Sequence, residues 1–305
     1  MGPYILRRIL TLIPLLFAVA TLTFFLMHAV PGGPFQGDKA LPPELLARMN
    51  AKYGLNQNIG VQYVQFLEHL VRGDLGISYQ TQNSVISTIK QGAPATLQLG
   101  LCAFAFAIVL GLVLGVLSAV NQNGLFDYIG VFVATIGAAI PSFVVALLLI
   151  LVFALKFHWF DVIGWTFGSP KTMVLPIVSL GLLPAAYIAR ITRASMLEVL
   201  RQDYIRTARA KGLDTFRVVR GHAVRNALVP VLTVAGPIFA GLITGSFIIE
   251  YTFAIPGIGT AFVTAVSLRD YGMIMGTVLL YAFAIAIANM VVDVSYGVVD
   301  PRIRY

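Results

Sequence analysis

The spacing Ser87-x-x-Lys90 is that of a serine whose proton a neighbouring lysine takes, the arrangement of acyl-enzyme hydrolases. The KTG and SDN segments that complete such a site are absent from the sequence. PGIGTAF, Pro256 to Phe262, carries a G-x-G but lacks the third glycine and the preceding strand of a dinucleotide fingerprint. There is no G-x-x-x-x-G-K-[ST] loop to cradle a triphosphate and no HExxH to hold zinc. The four histidines stand far apart, and the single cysteine, Cys102, can form neither an intrachain disulfide nor a metal cluster. The expectation is a chain with no catalytic residue, no metal and no cofactor of its own.

The other chemistry is charge. DYIRTARAKGLDTF, Asp203 to Phe216, holds five charged residues in fourteen positions, whereas the whole chain is 11% charged and 58% hydrophobic. Ile205, Ala208, Gly212, Phe216 and Val219 recur every three or four residues, which predicts one helix with a narrow apolar stripe despite Gly212. Arg206, Arg209, Arg217 and Arg220 lie beside or opposite it. A helix lying on lipid would carry bulky apolar residues on that stripe. Alanine and glycine suit close approach to a protein, so the segment is expected to enter a cytoplasmic partner.

What must position this segment is a membrane bundle. A bilayer core needs about 20 apolar residues in helix. Six blocks meet or approach that length: 9–27, 95–120, 129–155, 173–189, 229–249 and 273–292, the fourth being the shortest. They are apolar all round, unlike the half-polar helices of a soluble protein. Arg7 and Arg8 precede the first block, but its apolar run is long and no small-x-small site follows closely, so it is expected to stay as a helix. The fold class expected is all-α, a polytopic membrane protein of six spans.

With the amino terminus inside, thirteen Lys and Arg fall on inner segments and three on the short outer ones. Short loops rich in Lys and Arg stay cytoplasmic, which places both termini inside, with Arg302 and Arg304 among the inner charges. The net charge of +8 therefore reports topology, and no nucleic-acid partner is expected. Glu250 and Asp293 are expected at the ends of the fifth and sixth spans, which leaves the mid-depth carboxylates of many ion-coupled carriers missing. An independent secondary carrier stays open, because broken helices can bind ions through backbone carbonyls. Gly111/Gly115, Gly241/Gly245 and Gly272/Gly276 permit close helix packing. Pro141, Pro230 and Pro237 are expected to bend helices.

The division expected is 1–94, a first span plus a long external loop, and 95–305, a five-helix core with its coupling loop at 190–228. In the external loop, Pro42–Gly54 and Val61–Gly73 predict two short amphipathic helices. Their apolar faces are Leu45, Met49, Tyr53 and Val61, Val64, Leu67, and Gly73 to Gln80 makes a turn and an extended piece.

RTARAKG, Arg206 to Gly212, resembles the EAA motif, E-A-A-x3-G, of permease subunits of ATP-binding-cassette importers. Ala208 and Gly212 match; Arg206 stands for the glutamate, Thr207 for the first alanine, and His222 to Arg225 for the later I-x-L-P. The run from Tyr204 to Leu213 is similar to the peptide branch of that family. VPGGPF (30–35), LPPE (41–44), IPSFVVA (140–146), ARITRASMLEVL (189–200), ITGSFIIE (243–250), PGIG (256–259) and DPRIRY (300–305) extend the resemblance over the chain. It implies the type I importer permease fold in the cytoplasmic membrane, with a second homologous permease, one or two ATPase subunits that bind ATP and Mg, and an external peptide-binding protein. It also implies a coupling interface at Asp203, Tyr204, Arg206, Thr207, Ala208, Arg209, Ala210, Lys211, Gly212 and Phe216, with Asp203 supplying the charge that Arg206 lacks. Glu250, Pro256, Gly257 and Gly259 are the candidates for the external mouth. Importers of nickel or glutathione share the scaffold, so the cargo stays open between these and peptides.

Overall fold

The computed structural model describes residues 2–35 and 42–299, and side chains except those of 2–6, 138 and 293–299. The carboxy-terminal DPRIRY with Arg302 and Arg304, Leu41 of LPPE, and the side chain of Asp293 lie outside the described residues. Thirteen α-helices follow one another among the described residues, with no strand and one isolated bridge between Ile77 and Ser84. They are α1 (Gly2–Ala29), α2 (Pro43–Lys52), α3 (Ile59–Val71), α4 (Val85–Val120), α5 (Leu125–Ala139), α6 (Ser142–Leu149), α7 (Pro170–Leu200), α8 (Asp203–Ala210), α9 (Thr215–Val218), α10 (Val224–Ile243), α11 (Phe247–Thr252), α12 (Ile258–Ser267) and α13 (Tyr271–Val299).

Five helices are long and apolar enough to cross a membrane, or six if a bent pair forms one span. That pair is the expected third span. It breaks by 107° between 137 and 142, at Pro141, and α6 then runs into a π-helical turn, Ile150–Lys156. Proline's missing N–H frees the carbonyl that a straight helix would use. A second π turn, Val219–Ala223, joins α9 to α10, so the fifth crossing is one rod over Thr215–Ile243.

Two expected boundaries are corrected. The fourth span is not short: α7 continues past Ala189 through Arg190 and Arg193 to Leu200. The fifth does not reach Ile249. It ends at Ile243, because Gly245 takes a left-handed φ of +83° and Ser246 caps a new helix, accepting from the Ile249 N–H. Gly245 therefore belongs to a turn, and Gly241 has nothing within 4 Å of where a side chain would begin. That pair does not pack a helix, whereas Gly111 and Gly115 do.

The central pair is α4 on α7. A β-carbon on Gly111 would lie 2.6 Å from Ile188 Cγ2, and one on Gly115 2.5 Å from Thr192 Cβ. Both are far inside van der Waals contact, so the two backbones meet. α10 closes on the same pair: a side chain at Gly100 would overlap the Leu242 carbonyl. α5 leans on α7 where Gly137 faces Ala186.

α1 is peripheral and packs against α13. Phe24 and Met27 of α1 bury with Tyr271 and Met275 of α13, under Tyr63 and Phe66 of α3. The outer-loop helices thus exist, but α3 turns a different face inward from the one expected. Val61 and Val64 are exposed, while Tyr63 and Phe66 stack over Phe24. The outer loop is pinned to the bundle by Asp270, buried at the start of α13. It accepts from Ser78 Oγ, from the Tyr79 N–H at 3.0 Å and from the Met273 N–H at 3.2 Å. Burial, and then the charge of Asp270, push the Tyr79 phenol up to about 12.

Candidate functional site

The basic segment folds as two short helices with a sharp reversal between them. α8 begins at Asp203 and ends after Ala210, where the chain turns on Gly212. Gly212 has φ +80°, its N–H donates to the Arg209 carbonyl at 2.9 Å, and the Leu213 N–H reaches back to Ala208 O at 3.3 Å. This is a left-handed helix stop, a conformation that costs an L side chain about 1–2 kcal/mol. Asp214 then starts α9, accepting from the Arg217 N–H at 3.1 Å.

The stripe is therefore not one helix face. Ile205 and Ala208 are buried within the chain, against Met196 of α7, Val218, Ala223 and Ala227. They cannot meet a partner, because the partner of the α8 apolar face is the chain's own bundle. Gly212 is exposed with nothing within 4 Å, so its small size answers a backbone need rather than a close approach. Phe216, at 69% exposure, points outward.

What α8 presents to solvent is its other face: Arg206, Thr207, Arg209, Ala210 and Lys211, with Asp203 and Tyr204 at its start. Asp203 lies 3.6 Å from Arg206, and both are open to water. Arg209 forms the last turn, where the carbonyl end of the helix favours a cation. Tyr204 OH accepts from Asn226 Nδ2 of α10 at 2.8 Å, a polar stay beside the apolar one. The result is a cationic ledge on a firm apolar base.

A third group escaped the sequence reading. Asp127, 4% exposed at the start of α5, is gripped by Arg193 of α7: Nε to Oδ1 at 2.6 Å and Nη2 to Oδ2 at 2.8 Å. Ser118 Oγ also donates to Asp127, and the Asn123 N–H does so at 2.9 Å. The α4–α5 turn is thereby tied to α7 three residues before Met196, the base of the ledge. The available signal was an aspartate in a segment, 121–128, with no basic residue near it in sequence.

At the other end, the four mouth candidates are not a lining. Glu250 is fully buried, and its Oε2 accepts from Thr96 Oγ1 at 3.1 Å and from the Gly259 N–H at 2.8 Å. Thr96 Oγ1 accepts in turn from the Ile258 N–H at 2.9 Å. A carboxylate thus closes the amino end of α12, where helix N–H groups lack partners. Side chains at Gly257 or Gly259 would overlap that carboxylate, so both glycines make room for it. Pro256 alone of the four is exposed. No group of three or more metal-ligating side chains occurs among the described residues.

Two family models match the chain. Binding-protein-dependent transport system inner membrane component covers residues 111–305, and the corresponding N-terminal model covers residues 1–100. The oligopeptide transport system permease protein OppB of Escherichia coli strain K12 is 46% identical over 99% of both chains. The dipeptide transport system permease protein DppB of Bacillus subtilis is 42% identical over all of this chain and 98% of its own. Among solved structures, the inward-facing MetNI methionine ABC transporter matches with a TM-score of 0.52 at 20% identity, over 68% of this chain and 96% of that one. The last likeness concerns the fold.

Proposed function

Since the chain belongs to the binding-protein-dependent transport system inner membrane component family, we propose that it is one of two permease subunits of an ATP-driven peptide importer. The cargo class follows the named relatives, which are oligopeptide and dipeptide permeases over their full lengths. On this reading the cationic ledge of α8 and α9 receives an ATPase subunit, which binds ATP and Mg. An external binding protein delivers peptide to the opposite face, and the chain itself carries out no hydrolysis.

The observation that carries the proposal is the ledge. Arg206, Arg209 and Lys211 are exposed while Ile205 and Ala208 below them are fastened into the bundle. A push on the ledge is transmitted to α7 and α10 rather than dissipated in a loose loop. The basic excess of the same region supports a cytoplasmic position for it and for both termini.

The test is reconstitution with a second permease, cognate ATPases and binding protein in vesicles. Uptake of labelled peptide should require ATP and all partners, and the purified chain alone should not bind nucleotide. Uptake driven by an ion gradient without the ATPases would make the protein a secondary carrier, and uptake of nickel or glutathione in place of peptide would reassign the cargo. Cysteines at Gln57 and Lys211, with Cys102 replaced, should react with an impermeant maleimide from opposite sides.

A further inference from the structure

Between the outer end of α1 and the start of α13 lies a groove of ≈ 430 Å³, in the roughly 300–1,000 Å³ range of small-molecule sites. Thr23, Leu26 and Val30 form one wall and Ile274 and Val278 the other. The two helices run in opposite directions. At about 1.5 Å per residue, Val278 and Thr23 both lie roughly 10 Å deeper in their spans than Tyr271 and Val30. The groove is therefore a channel along the bilayer normal, and it opens on a flank where Leu22 and Leu26 are 62% and 66% exposed.

Its upper rim holds one cation. Arg269 donates through Nη1 to the Pro31 carbonyl at 3.0 Å, has no ion-pair partner among the described residues, and is exposed. Its neighbour Asp270 is turned the other way, into Ser78 and the Tyr79 N–H. Arg269 also sits at φ +54°, a left-handed helix stop where glycine is at ease and an arginine is not. Among the described residues a single carbonyl contact leaves most of the guanidinium fork free for a bidentate anion.

We propose that this groove is a phospholipid site, with an acyl chain laid between α1 and α13 and the phosphate held by Arg269. The lipid completes the packing of a helix that the protein itself covers on one side, and it does so at interfacial depth, where basic side chains meet headgroups. The site is independent of the cargo.

Full-length protein in mild detergent is titrated with dioleoyl phosphatidylglycerol, dioleoyl phosphatidylcholine and dioleoylglycerol, and bound lipid is counted by native mass spectrometry. Both phospholipids should persist as a single adduct, and the phosphate-free dioleoylglycerol should be held about tenfold less, the scale of one charge-assisted contact. Arg269→Gly removes the cation while relieving the backbone, so it should fold as the parent does and lose phospholipid about tenfold. Arg269→Lys should restore most of it, and Ile274→Trp, which fills the groove, should abolish binding of all three. Equal retention by Arg269→Gly, or equal binding of dioleoylglycerol, would overturn the proposal. So would a polypeptide adduct on cross-linking Val278→Cys in native membranes, which would give the groove to a protein helix.

Discussion

The two turns that flank the fifth crossing are built on opposite plans. Below it, residues 201–223 bury an apolar pair, Ile205 and Ala208, and leave their charges in water. Above it, residues 244–270 bury both of their carboxyl groups, Glu250 and Asp270, against N–H and hydroxyl donors, and leave Arg269 alone of their charged groups exposed. The upper turn directs its acidic groups into the fold. The lower one has spare cations and a solvent-facing phenylalanine, Phe216. A surface with unmet charges on a rigid base is suited to a second protein, and a turn with no unmet backbone need is suited to keeping its shape while the bundle moves.

The sharpest way to break this contrast is at Glu250. Glu250→Ala strands the Gly259 N–H and removes the acceptor of Thr96, and losing such a buried acceptor costs about 1–3 kcal/mol. The protein should fall in membrane abundance and in thermal midpoint, and Thr96→Val should do so less. Parental stability of Glu250→Ala would show that the upper turn is not held by its carboxylate.

Arg193→Leu comes next. It leaves Asp127 buried without its partner, a loss of about 3 kcal/mol for such a pair, reduced because the Arg193 side chain is 29% exposed. The double change with Asp127→Asn should recover part of it, and limited proteolysis at 121–124 would report the freed α4–α5 turn.

Gly212→Leu tests the lower turn's backbone. It should cost about 1–2 kcal/mol by disfavouring the left-handed stop, and Gly212→Asn should cost less. If ATPase co-purification falls in parallel with the stability of the α8–α9 turn, the glycine serves geometry. Loss of the ATPase at unchanged stability would mean instead that a partner does approach Gly212.

The smallest change in stability is expected for Arg206→Glu and Arg209→Glu, within about 0.5 kcal/mol as for exposed surface sites. Their effect should appear in ATPase retention, and it should depend on salt. A large loss of fold stability from either would erase the distinction between the two turns.

The spans were legible because lipid demands long apolar runs, and that demand is written residue by residue. Where a helix continues for another reason, hydropathy stops early. α7 runs past Ala189 because Arg193 finds Asp127, a partner 66 positions away that no local pattern reveals. Where apolar residues continue through a turn, hydropathy stops late. Gly245 reads as half of a packing pair, and only its φ of +83° makes it a break. Periodicity likewise located α3 and α8 but not their inward faces. Tyr63 and Phe66 were chosen by Phe24, and Ile205 and Ala208 by Met196 and Ala227, all from other helices. The cationic side of α8 was readable because its one ion pair among the described residues, Asp203 with Arg206, is local in sequence.

The seating of α1 against α13 sets a timetable for the protein's birth. α1 packs on α13, so during synthesis it must wait in the membrane until the crossings between them have been made. Phe24 and Met27 have no Tyr271 or Met275 to cover them until α13 has been made. A chain truncated before α13 would leave Phe24 and Met27 without that cover. The α1–α13 contact is thus late to form, because it joins two helices far apart in the sequence.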